Sequence, residues 1–143
     1  LFFAFIIIPF LYIGLIINLP IKEPKWFSLI YAFFIGLLID VFSGTIGFHS
    51  TACTLIAFIK PLICKITISQ KIITETEEIT QKKIGSRAFL MLSIVLILIH
   101  HSCLFFLEHL SFNLNVLIKI ITSSIATYIV VLISQLFFNA NNK

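Results

Sequence analysis

Several ionisable side chains lie within or at the edges of long apolar runs: Asp40, His49, His100, His101, Glu108 and His109. Ionisable groups at membrane depth are costly, so each is a candidate functional position. Carboxylates among imidazoles have the donor chemistry to hold a metal ion, which would make an intramembrane metalloenzyme. The spacing argues against that chemistry. The sequence has no H-E-x-x-H helix and no G-x-S-x-G elbow, and no ligand pair at helical spacing converges on one point. Polar contacts satisfied between helices are the better reading, with no catalytic residue, no metal and no cofactor expected.

Asp40 follows Ala32 and Gly36 at spacings of four, which puts all three on one helical stripe. Small residues four apart let a neighbouring helix approach closely. The aspartate therefore faces either a packed interface or pocket, or the backbone N–H groups of the SGTIG turn that follows it. His49 opens the next apolar run and shares a stripe with Cys53, Ile56 and Lys60, so the turn brings Asp40 and His49 to one end of a helical hairpin.

His100 and His101 are adjacent, hence about 100° apart around a helix, and cannot both face one neighbour. Glu108 lies two turns beyond His101, and a Glu108–Lys119 pair is expected across the short connection to the last helix. On that helix Lys119, Ser123, Thr127 and Ser134 fall near one stripe, with Ser124 and Gln135 beside it. Hydroxyl residues of this kind act as interhelical glue.

The elements that must position these groups are membrane helices. Of 143 residues, 59% are hydrophobic and 11% charged, against roughly 25% charged in a soluble domain. Five apolar runs, about 1–18, 27–43, 49–64, 88–107 and 115–138, approach the roughly 20 residues that a span needs. The fold class is thus all-α: one polytopic transmembrane domain over 1–143, with 65–87 as its long charged connection.

The connections orient it. Lys22, Lys25, Lys60, Lys65, Lys71, Lys82, Lys83, Arg87 and Lys143 fall on or near one side, and only Lys119 on the other. The positive-inside rule makes the basic side cytoplasmic, with the C-terminus inside. The first visible helix then starts outside, which, with no Met at position 1, suggests a missing N-terminal segment and six spans in the complete protein.

The net charge of +4 and pI near 9.1 come from these connections and imply attraction to anionic lipid. No basic patch interleaved with exposed aromatics points to nucleic acid. The third connection places isoleucines at 66, 68, 72, 73, 79 and 84 among Glu75, Glu77, Glu78 and lysines; it reads either as a surface amphipathic element or as a solvated loop. Cys53, Cys64 and Cys103 show no paired spacing and read as small apolar residues.

The run from Gly36 to His49, GLLIDVFSGTIGFH, followed by Leu55-Ile56-Ala57-Phe58-Ile59-Lys60-Pro61, resembles the rod shape-determining MreD family. The stretches around Pro20, Pro24 and Trp26, and His100-His101 with Phe105 to Glu108, look like its Bacteroidetes type. The resemblance covers nearly the whole chain apart from the family's first span. It implies a non-enzymatic component of the bacterial inner membrane that binds MreC and works with MreB and the wall synthases in lateral peptidoglycan synthesis. It also implies a fold similar to the substrate-binding component of energy-coupling factor vitamin transporters. Gly36, Asp40, Phe42, Ser43, Gly47 and His49 are the motif positions implied to shape a hairpin and an outward pocket, with His101 and Glu108 near it. The alternative is a substrate-binding membrane component for a small, vitamin-type molecule, which shares the fold.

Overall fold

The computed structural model describes residues 11–140, and the described chain is helical without strands. Residues 1–10 of the first expected span, and Lys143 of the basic side, lie outside the described residues. The elements are α1 (11–17), α2 (Lys25–Ser43), α3 (Phe48–Thr67), α4 (Gln70–Glu75), α5 (Gln81–Ile84), α6 (Ser86–His109) and α7 (Leu114–Ala140). Among them α2, α3, α6 and α7 are long and apolar enough to cross a membrane, at 19, 20, 24 and 27 residues. Each outruns the apolar run that announced it by a few residues, because polar residues at the ends still continue the backbone ladder. At about 1.5 Å per residue even α2, the shortest of the four, reaches roughly 28 Å, close to the thickness of the hydrocarbon core.

Local chemistry sets the boundaries. Pro24 precedes the first turn of α2, where its missing N–H costs nothing. Gly44, at φ 68°, closes α2 in the left-handed conformation that glycine adopts without strain. Asn113 begins α7 by accepting the Val116 N–H at 3.0 Å.

Consecutive long helices pack as neighbours: α2 on α3, α3 on α6, and α6 on α7. On α6 the buried residues are Phe89, Leu92, Ser93, Leu96, Ile97, His100 and His101, a single stripe at helical period. The buried stripe of α7 is Val116, Ile120, Ser124, Thr127, Val131 and Gln135. Lys119 is exposed, so the inward face of this helix is rotated away from the one that Lys119 and Ser134 suggest.

The described part of α1 packs in the core, with Ile13, Ile16 and Ile17 fully buried. This helix and the two residues that follow it touch three other helices through polar contacts: Tyr12 Oη lies 3.0 Å from His100 Nε2 on α6, Lys60 on α3 donates to the Ile16 and Leu19 carbonyls, and Gln135 on α7 donates to Asn18 Oδ1 at 3.2 Å. The long connection is neither loose nor purely superficial. Ile68, Ile79 and Ile84 are buried in the core and Ile72 and Ile73 pack against it, while Ile66 stays exposed. The Ile21 N–H donates to the Glu77 carbonyl at 2.8 Å, tying the first connection to the third.

Candidate functional site: the Asp40 latch and the polar layer behind it

Alternation of small residues on α2 prepares this site. Ala32, Gly36 and Asp40 are all buried and face α3, as their spacing predicts. At Gly36 the backbone of α3 is so close that a Cβ would stand 2.4 Å from Ser50 Cα and 2.7 Å from the His49 carbonyl oxygen. No other residue has a backbone bare enough to let the helices meet there.

That approach delivers the start of α3 to the Asp40 carboxylate. Oδ1 accepts the His49 backbone N–H at 2.9 Å and Oδ2 accepts the Ser50 N–H at 3.0 Å. The N-cap position of α3 is Gly47, at φ 78°, which has no side chain to offer. A carboxylate from the preceding helix therefore performs the capping, satisfying N–H groups that a helix terminus leaves open and complementing its partial positive charge. The Thr45 hydroxyl donates to Oδ1 at 2.6 Å, and His49 Nδ1 lies 3.0 Å from the same oxygen. Beside a carboxylate that nitrogen carries the proton, so the imidazole donates.

Behind the latch lies a second layer. The Tyr12 ring meets His49 edge-on at a centroid distance of 6.2 Å and His100 at 5.4 Å. Cys53 Sγ lies 3.9 Å from His100 Nε2. The two adjacent histidines diverge as their spacing requires: His100 faces α1 and α3, while His101 Nε2 lies 3.2 Å from Thr127 Oγ1 on α7. His101 Nδ1 faces the Ile97 carbonyl at 2.9 Å and so is its donor. The Thr127 hydroxyl beside Nε2 donates to the Ser123 carbonyl of its own helix at 2.8 Å.

Of the residues singled out by sequence, Gly36, Asp40, Gly47 and His49 meet at the latch, and His101 lies in the layer behind. Phe42 and Ser43 do not join them; both are exposed at the end of α2. Glu108 stands apart with its side chain half-exposed. The expected Glu108–Lys119 pair is replaced: His109 comes between, accepting from Lys119 Nζ at 3.2 Å with its Nε2 3.9 Å from Glu108. The adjacent histidine points toward α7 and the glutamate does not. Thr45, Ser50 and Tyr12 escaped sequence reasoning. Thr45 lies in the turn already suspected of satisfying Asp40, whereas Tyr12 carries no local signal beyond an aromatic hydroxyl in an apolar run.

Chemically, the Asp40–His49 pair has the geometry of an oriented imidazole, but among the described residues no hydroxyl or thiol hydrogen-bonds its Nε2. Among the described residues no group of three or more His, Cys, Asp or Glu stands close enough to hold a metal ion. What the arrangement does is lock a helical hairpin. No protein family, curated protein or solved structure matches the chain, so the expected likeness to the vitamin-transporter component has no counterpart among solved structures.

Proposed function

We propose that the chain is a non-enzymatic scaffold of the bacterial inner membrane, of the MreD type, which docks MreC and helps organise lateral peptidoglycan synthesis with MreB and the wall synthases. The observation that carries this reading is the use to which the motif is put. Asp40 spends its acceptors on the His49 and Ser50 N–H groups, Thr45 and the His49 ring. A motif consumed internally in this way suits a part that holds a surface rigid rather than one that turns over a substrate. The surface so held is that of α2, which packs chiefly on α3 and leaves Phe27, Phe34, Leu38 and Phe42 exposed.

In this reading the end of the bundle bearing α4 and α5 faces the cytoplasm, together with the C-terminus, because the lysines concentrate there. The test is affinity capture of the full-length protein from detergent-solubilised membranes, probing one eluate for MreC and for bound small molecules. Recovery of MreC at comparable stoichiometry is the expected result. A stoichiometric small molecule without MreC would replace the scaffold by the transporter component.

A further inference from the structure

At the end of the bundle opposite the Asp40 latch, a cleft of about 240 Å³ opens between the first connection, α2, α3 and α4, lined among others by Pro20, Glu23, Lys25, Ser28, Lys60 and Lys65. Three lysines against one glutamate make it electropositive. Lys60 is the anomaly. It is only 6% exposed, and its Nζ donates to the carbonyls of Ile16 at 2.9 Å and Leu19 at 2.7 Å. Those bonds use two of the three protons of an ammonium, and carbonyls carry no net charge to balance it. Among the described residues no carboxylate pairs with Lys60, Lys25 or Lys65, whereas exposed Lys22 does have a partner, Glu77 at 3.4 Å. A buried charge at the edge of a membrane calls for a counter-ion.

The depth of the cleft says where that ion comes from. Lys25 begins α2 and Lys65 lies in the last turn of α3, so the cleft lies where the hairpin leaves the membrane. Trp26, 64% exposed in the first turn of α2, is the residue type that settles at headgroup level. The volume has room for about eight waters at roughly 30 Å³ each, which suits a phosphate with a short polyol. We propose that this cleft binds the phosphate of an anionic phospholipid headgroup, held by Lys25 and Lys65 at the mouth and by Lys60 at the floor. The inference rests on the helices spanning a membrane and is independent of the MreD reading.

Trp26 is the sole tryptophan of the chain and reports on the site. The chain is reconstituted in phosphatidylcholine vesicles, and quenching of Trp26 by chain-brominated phosphatidylglycerol is compared with quenching by brominated phosphatidylcholine. The brominated phosphatidylglycerol is expected to half-quench at an about tenfold lower mole fraction, the scale of one or two lysine–headgroup attractions. The exposed pair Lys25→Gln with Lys65→Gln brings the ratio near one. Lys82→Gln with Lys83→Gln removes equal charge outside the cleft and leaves the preference in place. Equal quenching by both lipids in the parent chain, or equal loss in both double variants, would overturn the site. Millimolar inorganic phosphate leaves the preference intact if the bound phosphate is lipid-borne; displacement by it would overturn the lipid source in favour of a soluble phosphate.

Discussion

Gly36 and Ser50 touch backbone to backbone: a Cβ on Gly36 would fall 2.4 Å from Ser50 Cα and 2.6 Å from its nitrogen. The obstacle is main chain and cannot rotate away, so α3 must move. Gly36→Ala is expected to destabilise the protein by about 1–3 kcal/mol, the usual cost of overpacking. Gly14→Ala is the control, because among the described residues its Cβ would meet only the Val131 Cγ2 at 3.9 Å, an ordinary contact. Thermal unfolding in detergent checks both, and equal melting temperatures for the two variants would contradict the close approach.

Asp40→Ala leaves the His49 and Ser50 N–H groups without their acceptors in an apolar setting. A buried unsatisfied donor costs about 1–3 kcal/mol, so this variant is expected to be among the least stable point variants of the hairpin. Asp40→Asn retains one acceptor oxygen and should recover part of the loss. On the scaffold proposal, MreC binding should follow hairpin stability; cells carrying Asp40→Ala with the protein at normal abundance and MreC still captured would count against the link proposed between the latch and partner binding.

Lys60→Met keeps an unbranched side chain, one atom shorter, and removes the donors to the Ile16 and Leu19 carbonyls. Loosening the end of α1 should uncover its neighbours on α3, including Cys64, which is buried in the parent protein. The expected result is a faster maleimide reaction at Cys64 in the variant, read by mass spectrometry of the labelled peptide. An unchanged rate would mean that the remaining contacts of α1, polar and apolar, hold it without Lys60.

His101 and Thr127 join α6 to α7. A double-mutant cycle with His101→Ala and Thr127→Val is expected to give a coupling of about 0.6 kcal/mol and no more than roughly 1.7, the range for interhelical hydrogen bonds in membranes. Unfolding in a denaturing detergent supplies the four free energies. A coupling near zero would reduce the contact to packing.

Much of this was legible from residue order alone. Apolar run lengths located α2, α3, α6 and α7, since a helix in lipid satisfies its own backbone and needs only apolar side chains to stay there. The four-residue spacing of Ala32, Gly36 and Asp40 identified the face on which α3 lies, and the short turn predicted the meeting of Asp40 with His49. Those are local properties, set by helical period and chain connectivity.

Tertiary structure decided the rest. It turned Lys60 inward onto the carbonyls of α1, although by charge alone this lysine reads as one more marker of the basic side. It interposed His109 between Glu108 and Lys119, and it left Phe42 and Ser43 outside a motif whose other members converge. It also drew isoleucines of the charged connection into the core. In each case the partner is remote in sequence or set by the rotation of a neighbouring helix. Helical period assigns a residue to a face, and only the packed bundle determines what that face meets.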